Sequence, residues 1–494
     1  MQFQSVTFLI FFFALCIVYY AIPGKLKKYW LFLVSWIFYL SISFEFPFYL
    51  LIVTLFSYAM GIMVERISHS SRRKRNLFLM FALVGTFSAL TVIKYGGFFT
   101  ENVARFLHIL QVDPPFSKLQ LVQPIGLSFF TFQAAGYLID IYRSKRPAEK
   151  DIISYALFLS FFPIIMSGPI ERSTNLLAQI DESDKIRIDT NKIRHGLLEM
   201  MYGYFLKIMV ADRLNIFVNS VFSNHEAYGG GVLTLAVIGF GIQLYCDFAG
   251  ISTIALGAGE VLGFSLIRNF ETPYFSLSVG EFWRRWHISL STWFRDYLYI
   301  PLGGNRKGIW RKYLNLMIVF LVSGLWHGSG WSFIVWGGLH GIYQIMGGLL
   351  KPARLKIISL LHINPDLPGN RFLKMLFNFA LINFAWLFFR AESLTQSIQI
   401  ISQSISMWNL WELFDGTLLT LGLDWPDILV LILSLIIVLV MSVCQYKKID
   451  WKTNLMSQGF LFRATVYVAC ITILVIFGIY GSSYSASSFI YVDF

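Results

Sequence analysis

Charged residues are scarce in this chain of 494 residues. Asp, Glu, Lys and Arg together make up 14% of it, whereas hydrophobic residues make up 56%; an ordinary soluble domain has about 25% charged residues. The polar side chains are too few to cover a water-soluble surface, so the apolar excess is expected to face lipid. This composition excludes a soluble enzyme, a secreted scaffold and a disordered protein.

Cysteine is equally scarce, and the short motifs of several enzyme classes are absent. The four cysteines show no CxxC pair and no disulfide-like spacing. No GxxxxGK[ST], HExxH or GxSxG motif occurs, so ATP-driven transport and serine hydrolysis lose their support. The cysteines are Cys16, Cys246, Cys444 and Cys470.

The net charge of +12 indicates membrane orientation and not nucleic-acid binding. Basic residues gather in cytoplasmic loops beside membrane spans, and here they cluster at residues 25–28, 72–75 and 447–452. Placing these clusters in the cytoplasm predicts that both the N-terminus and the C-terminus lie outside. No nucleic-acid partner is predicted, because the chain has no long hydrophilic tail to bind one.

Apolar runs recur along the whole chain and predict an all-α polytopic membrane protein with roughly 11–13 membrane helices. Several runs are shorter than the roughly 20 residues of a full span, so some helices are expected to be short or re-entrant. Non-helical backbone at membrane depth needs cover from protein or a water-filled cavity, which predicts a central tunnel. The runs are 5–22, 29–44, 46–61, 77–93, 125–141, 152–165, 197–210, 232–248, 314–335, 375–389, 428–443 and 464–479.

His327 is the histidine that stands out, because it lies inside the apolar run 314–335. An ionisable group within a membrane segment is a functional-site hypothesis by default. Gly324 and Gly328 are four residues apart, so one helix face is bare backbone that admits a neighbouring helix or a substrate. The alternative is a packing histidine bonded to a backbone carbonyl.

A second histidine, His287, precedes His327 by 40 residues and lies at the edge of a polar-aromatic stretch, 269–311. That stretch is typical of a membrane interface and predicts an amphipathic helix lying there. Two convergent histidines with arginines nearby suit removal of a hydroxyl proton and attack on an acyl carbon. No metal site is predicted, since His340 is the only candidate third ligand and helix packing explains it equally well.

The residues from 245 to 341 closely resemble bacterial membrane-bound O-acyltransferases, and most of all their alginate O-acetyltransferase branch. The similarity also covers 124–133, 162–170 and 383–390, and spans most of the chain from about residue 100 onward. The segments that carry it read YCDFAGISTIALG, LGFSLIRNFETPYF, EFWRRWHISLSTWFRDYLYIPLGGNR, SGLWHG and WGGLHG.

The resemblance implies a division of the chain and a set of site residues. Residues 1–110 would be N-terminal membrane helices, 111–350 the catalytic core with interfacial helices, 351–481 C-terminal membrane helices and 482–494 an extracytoplasmic tail. His327 would be the hallmark histidine in a membrane tunnel and His287 the second catalytic histidine. The candidates for lining the tunnel or binding the donor are Asn269, Arg284, Arg285, Trp286, Ser289, Arg295, Asp296 and Trp326.

The resemblance also implies the reaction. The donor would be cytoplasmic acetyl-CoA, a substrate and not a bound cofactor, and the acetyl group would reach an outer-face acetyltransferase or glycan acceptor. The chain would then be a multi-pass protein of the bacterial inner membrane that O-acetylates a cell-surface or secreted polysaccharide. D-alanyl transfer to teichoic acid is the alternative within the family. A proton-coupled transporter is the alternative outside it, with Asp212, Asp247 and Asp296 as the relay.

The C-terminal pattern Phe489-x-Tyr491-x-x-Phe494 is similar to a tail found in this family and in small partner proteins of the teichoic-acid D-alanylation machinery. There the tyrosine is thought to carry the acyl group transiently. The resemblance predicts that Tyr491 is an acyl shuttle and that Phe489 and Phe494 dock the tail. The alternative is an interfacial aromatic anchor.

Overall fold

The structure, a computed structural model, describes residues 1–114 and 121–480. Every regular element in those two ranges is a helix, so the predicted all-α polytopic membrane fold is confirmed. Six helices are long and apolar enough to cross a membrane, or seven if the pair Trp331–Leu349 and Lys351–Leu360, bent by 50°, forms one broken span. The six are Phe46–His69, Arg72–Ile109, Gly230–Val261, Pro368–Arg390, Trp425–Tyr446 and Phe460–Phe477.

The first of two compact units comprises Met1–Met200 and Ile254–Ile267. Two of its helices begin where a side chain caps the first turn: the Ser5 hydroxyl accepts from the Phe8 N–H, and the Asp151 carboxylate accepts from the Ile153 N–H. The helices are α1 (Val6–Ala21), α2 (Gly24–Leu40), α3 (Phe46–Arg66), α4 (Arg72–Ile109), α5 (Leu127–Tyr142), α6 (Ile152–Ser160), α7 (Phe162–Ile165), α8 (Ala178–Asp181) and α9 (Thr190–Tyr204).

A tyrosine pair organises the centre of the first unit. The rings of Tyr137 on α5 and Tyr155 on α6 lie 4.6 Å apart, and the Tyr155 hydroxyl donates to Ser57 Oγ of α3 over 2.7 Å. Gly61 lets α3 pass the Tyr137 ring, since a Cβ there would lie 2.6 Å from a ring carbon. Close helix contacts at small residues are typical of membrane proteins, where hydrophobic burial does not drive helices together.

The second unit comprises Met201–Thr253 and Arg268–Phe494. A π-helical turn, Phe205–Ala211, continues α9 into α10. The helices that begin in this unit are α10 (Asp212–Ser223), α11 (Gly230–Val261), α12 (Val279–Arg285), α13 (Ile288–Phe294), α14 (Ile309–His327), α15 (Trp331–Leu349), α16 (Lys351–Leu360), α17 (Pro368–Arg390), α18 (Leu394–Ser406), α19 (Trp425–Tyr446), α20 (Trp451–Met456) and α21 (Phe460–Phe477).

The spanning helices differ in how much of their apolar surface is buried by protein. Protein buries 72% of the most apolar stretch of α11, but only 17% of the corresponding stretch of α19 and none of that of α21. An apolar helix that protein leaves uncovered in a membrane protein faces lipid. Helices α19 and α21 therefore face lipid, whereas α11 is a core helix.

The prediction of one continuous span at 314–335 is wrong. Helix α14 ends at His327 and α15 begins at Trp331, with the backbone of Gly328 and Gly330 extended between them. Two glycines and a serine within three residues disfavour helix, because glycine loses more backbone entropy than any other residue when it is ordered.

The single amphipathic helix predicted within 269–311 is also absent. The segment folds instead into α12, α13 and a π-helical turn at Arg295–Tyr299. His287 separates α12 from α13, with its backbone in the left-handed region. This break places a side chain in the core that a continuous surface helix would leave at the interface.

Candidate active site

His327 occupies the C-terminal end of α14, where two helices cross closely. A Cβ on Gly324 would lie 2.3 Å from the Phe333 carbonyl oxygen, and a Cβ on Gly337 would lie 2.3 Å from the Phe320 carbonyl oxygen. Only glycine at both positions allows α14 and α15 to approach so closely. The sequence-based expectation of a bare helix face admitting a neighbouring helix is confirmed at Gly324.

The imidazole of His327 is 3% exposed and lies among aromatic rings. Its ring centroid is 4.8 Å from that of Trp336 on α15 and 5.2 Å from that of Phe389 on α17. Both rings meet the imidazole edge-on, at 84° and 73°. The surroundings exclude bulk water, which strengthens any electrostatic interaction made at the imidazole.

His287 is fully buried in the turn between α12 and α13. Asn269 holds this turn in place, because its carbonyl oxygen accepts from the Ile288 N–H over 3.0 Å. Its side-chain Oδ1 accepts from the Ser289 N–H over 3.3 Å, and its Nδ2 donates to Ser252 Oγ over 3.3 Å. A left-handed conformation costs about 1–2 kcal/mol for a residue other than glycine, and these bonds help to offset that cost.

The protonation state of His287 follows from its contacts. Asn269 Oδ1 lies 3.4 Å from His287 Nδ1, and an amide oxygen can only accept, so the proton is on Nδ1 and the lone pair on Nε2. Burial lowers the pKa of His287 to about 3. The imidazole, which lies outside the spanning helices, is therefore neutral at physiological pH.

The two histidines meet at one tryptophan. The Trp326 ring centroid is 4.6 Å from that of His327 and 5.8 Å from that of His287. The Phe248 ring of α11 contacts the other side of this group, 4.7 Å from His287. Two imidazoles that are 40 residues apart in the chain thus contact the same indole ring.

The other predicted site residues divide into buried and surface positions. Trp286 is 1% exposed, and its ring stacks on Phe282 at 5.3 Å; Ser289, Asn269 and Trp326 are buried as well. The charged candidates are more exposed and are engaged in ion pairs of their own segment: Arg285 with Glu281 at 2.7 Å and Arg295 with Asp296 at 2.8 Å, while Arg284 is exposed.

A buried charge cluster was not predicted. Lys207 Nζ, on the π-helical turn, lies 2.8 Å from an Asp212 carboxylate oxygen and 2.7 Å from an Asp247 carboxylate oxygen. All three residues are at most 8% exposed. The sequence signal was a lysine within the apolar stretch FLKIMVA, which needs a buried acidic partner.

The tail residues Phe489, Tyr491 and Phe494 lie outside the described residues. The chain that leads to them is fixed within the second unit: the Ile479 N–H donates to the Ile208 carbonyl over 3.0 Å, and the Arg213 guanidinium donates to the Phe477 carbonyl. Within residues 1–114 and 121–480, no group of three His, Cys, Asp or Glu side chains is placed to hold a metal ion.

Comparison with known proteins places this site within a family. Residues 145–357 match the model of the MBOAT, membrane-bound O-acyltransferase, family. Both His287 and His327 fall inside the matched stretch.

Three relatives illustrate the range of similar proteins. The probable alginate O-acetylase of Azotobacter vinelandii is 33% identical over 90% of this chain and 86% of its own length. The peptidoglycan O-acetyltransferase of Helicobacter pylori is 31% identical over 78% of this chain and 75% of its own. The teichoic acid D-alanyltransferase of Streptococcus thermophilus is 30% identical over 48% of this chain and 60% of its own.

Proposed function

The chain belongs to the membrane-bound O-acyltransferase family, and we propose that it transfers an acetyl group from cytoplasmic acetyl-CoA toward a polysaccharide at the outer face of the membrane. It is a multi-pass bacterial membrane enzyme with O-acyltransferase activity. One observation supports the proposed chemistry most directly: His287 and His327 are buried, and both contact Trp326 within the stretch that matches the family.

The proposed reaction is attack of a hydroxyl on a thioester. His327 takes the proton of the acceptor hydroxyl, the oxygen attacks the carbonyl carbon, and a C–O bond forms. The C–S bond then breaks, and the leaving thiolate receives the proton from His327. A positioned base of this kind contributes typically 10²–10⁴-fold to the rate.

The structure favours different roles for the two histidines. A general base works best when its pKa lies near the operating pH, and burial lowers the pKa of His287 to about 3. His287 therefore suits the role of a neutral hydrogen-bonding partner, with its Nδ1 proton fixed by Asn269. His327 is the proposed base.

The two-sided arrangement follows from the chemistry of the donor. A coenzyme A thioester carries phosphate charges that do not cross lipid, so the donor is proposed to enter a tunnel from the cytoplasm. The acceptor is proposed to lie at the outer face of the membrane. The basic clusters at 25–28, 72–75 and 447–452 would then be cytoplasmic and both termini would be outside.

Tyr491 is proposed to carry the acetyl group from the site to an outer transferase or glycan, with Phe489 and Phe494 docking the tail. The last described residues are held in the second unit by Ile208 and Arg213. Tyr491 is eleven positions beyond Tyr480, and a fully extended chain of eleven residues spans at most about 36–40 Å. A phenol has a pKa near 10, so this step needs activation by the histidine pair.

The named relatives favour acetyl over D-alanyl transfer. Those named for O-acetylation align with 90% and 78% of the chain, whereas the D-alanyltransferase aligns with 48%. Proton-coupled transport loses its relay, because Asp212 and Asp247 are paired with Lys207, and Asp296 with Arg295.

The experiment is complementation of a deletion strain, with cell-surface glycan O-acetyl content measured as acetate released by alkali. Wild type is expected to restore the acetate, and His327→Ala at equal abundance is expected to restore none. The matched control is His362→Ala, which changes an exposed histidine and should restore acetate fully. Unchanged acetate in the deletion strain would contradict acetyl transfer, and full restoration by His327→Ala would contradict the role of that histidine.

The shuttle has a separate test. Tyr491→Phe removes only the hydroxyl, so the abundance of the protein should not change while glycan acetylation is lost. Normal acetylation in this variant would rule out acyl transfer through Tyr491 and leave the histidine site untouched.

A further inference from the structure

Three ring N–H groups lie close together in the core of the second unit, and one of the rings, Trp336, contacts His327. Trp336 and His340 are four residues apart on α15 and so project from one helix face, and Trp386 projects from α17. All three side chains are 0% exposed. None was assigned a role in the proposed transfer.

The proton of His340 is located by its neighbour. The Trp283 Nε1–H donates to His340 Nδ1 over 3.2 Å, and an indole nitrogen is only a donor. Nδ1 therefore carries the lone pair, and in a neutral imidazole the proton is on Nε2. His340 thus presents an N–H donor, as the two tryptophans do.

These three donors have no acceptor in the described part of the chain. His340 Nε2, Trp336 Nε1 and Trp386 Nε1 are all buried and make no hydrogen bond there. Buried polar groups are almost always hydrogen-bonded, because an unpaired one costs about 1–3 kcal/mol. Three together in one small region indicate a ligand that accepts hydrogen bonds.

The three rings form one contact group next to the proposed base. Ring centroids are 5.0 Å apart for Trp336 and His340, 5.6 Å for Trp336 and Trp386, and 6.1 Å for His340 and Trp386. Trp336 also contacts His327 at 4.8 Å. A group bound at the Trp336 ring would therefore lie beside His327.

The chemistry of the cluster selects the ligand. It offers donors only, and aromatic walls surround it, with Phe320 6.0 Å from His340 and Phe389 5.3 Å from both tryptophans. Among the described residues that contact these rings, none carries a permanent positive charge that would offset a bound anion, which makes the site unsuitable for a permanently charged group. A small uncharged acceptor such as a carbonyl oxygen fits it.

We propose that Trp336, His340 and Trp386 bind the carbonyl oxygen of the acetyl thioester. This inference rests on the proposed function, since it assumes that a thioester is brought to His327. When the hydroxyl oxygen attacks, the C=O π electrons move to the carbonyl oxygen, and the three N–H groups stabilise the negative charge until the C–S bond breaks. Donors placed where charge develops often supply the largest share of catalysis.

Kinetics of acetyl-CoA consumption in inside-out membrane vesicles test the catalytic part. Trp386→Phe and Trp336→Phe each keep an aromatic ring and remove one donor, so kcat is expected to fall on the order of 10²–10³-fold with KM for acetyl-CoA little changed. The matched control is Trp293→Phe, a buried tryptophan of α13 outside the cluster, which should keep kcat. A Trp386→Phe variant with wild-type kcat would overturn the proposal.

Infrared spectroscopy tests the binding part without turnover. The probe is the ketone analogue of acetyl-CoA in which a methylene replaces the sulfur, labelled with ¹³C at the carbonyl. Its C=O stretch, in complex with the purified full chain, should move to higher frequency in Trp386→Phe and in His340→Phe than in wild type or Trp293→Phe, because a hydrogen bond to the oxygen is lost.

The outcomes distinguish failure of the proposed carbonyl-binding site from failure of the proposed acetyl transfer on which it rests. If the analogue does not bind wild type, acetyl-CoA is not the donor, and the proposed function falls together with the carbonyl site. If it binds wild type but its C=O stretch is the same in all variants, only the carbonyl site is overturned. If kcat falls in the variants but the stretch does not move, the tryptophans act through packing and the proposal is overturned as well.

Discussion

At the scale of single residues, a histidine becomes useful when its neighbours fix which nitrogen carries the proton. Asn269 does this for His287, and Trp283 does it for His340. Both partners are neutral, so both imidazoles stay neutral while presenting a defined donor and a defined lone pair. His327 contacts Trp326 and Trp336, and these two rings in turn contact His287 and His340 respectively.

Asn269→Asp should make the enzyme sensitive to acid. A carboxylate facing Nδ1 favours the protonated imidazole, so the pKa of His287 should rise from about 3 toward its ordinary value near 6.5. As the pH falls through the raised pKa, His287 in the variant becomes charged and acetyl transfer falls, whereas in wild type it stays neutral. Rates in vesicles from pH 7.5 to 5.5 measure this, and parallel profiles for the two proteins would contradict the assignment.

Sequence alone located the histidines but not their surroundings. His327 stands out because imidazole is rare in apolar sequence, and the family resemblance named His287 and Asn269 as further site residues. Trp336 and Trp386 lie in segments that carry the family resemblance but were given no role, because a tryptophan in an apolar helix is indistinguishable from packing until its N–H is found without an acceptor. Lys207 became meaningful only when Asp247, 40 residues away, was seen beside it.

At the scale of helices, the crossing of α14 and α15 positions His327. Gly324→Ala or Gly337→Ala would place a methyl group against the backbone of the opposite helix, so the helices must separate. We expect a loss of stability of about 1–3 kcal/mol and a loss of acetyl transfer, since His327 is three residues from the contact. Thermal unfolding in detergent measures the first effect, and acetate release from cells measures the second.

Gly347 on α15 is the matched control for that prediction. A Cβ there would meet nothing within 4 Å, and alanine is the better helix former by roughly 0.8–1.0 kcal/mol. Gly347→Ala should therefore keep or slightly raise the unfolding temperature and leave acetylation intact. Equal effects of Gly337→Ala and Gly347→Ala would show that helix propensity, and not the crossing, governs this pair.

The charge cluster ties the π-helical turn to α11. Lys207→Met would remove the ammonium group that pairs with the buried carboxylates of Asp212 and Asp247, and breaking a buried ion pair typically costs about 3–5 kcal/mol. We expect the variant to be scarce in membranes. Adding Asp247→Asn to Lys207→Met removes one of the stranded charges and should recover part of the lost abundance. Normal abundance of Lys207→Met by immunoblot would contradict a structural role for the cluster.

The sequence patterns predicted which segments are helical better than they predicted where each helix begins and ends. The runs 77–93, 232–248, 375–389 and 428–443 lie inside the longer helices α4, α11, α17 and α19, because hydropathy marks the lipid-facing part of a helix and not its caps. The run 314–335 is two helices, because the apolar signal continues through a break that is itself made of Gly and Ser. The break is what sets His327 at a helix end.

At the scale of the whole molecule, the amino-acid composition was sufficient to predict the class of protein. A low charge content and recurring apolar runs predict an all-α membrane protein, and the described residues form one. The number of membrane spans was harder to predict from the sequence. In the described residues six or seven helices are long and apolar enough to span a membrane, whereas the apolar runs predicted roughly 11–13 membrane helices. Apolar helices shorter than 18 residues, such as α1, account for part of the difference, because composition does not reveal where the bilayer lies.

The orientation in the membrane is a testable consequence of the basic clusters. In a chain whose native cysteines are replaced by alanine, Phe44→Cys lies in the exposed turn between α2 and α3, and Ser71→Cys lies beside the cluster at 72–75. A membrane-impermeant thiol reagent added to intact cells should label the first, and it should label the second only after permeabilisation. The reverse pattern would place the N-terminus in the cytoplasm.

The central claim is that His327 transfers an acetyl group from acetyl-CoA to a hydroxyl, and transfer of radiolabel measures it most directly. Inside-out vesicles containing wild type, given [¹⁴C]acetyl-CoA, should accumulate alkali-labile label in the membrane fraction, and His327→Ala at equal abundance should do so at least about 10²-fold more slowly. Label accumulating as fast in His327→Ala as in wild type would contradict the account.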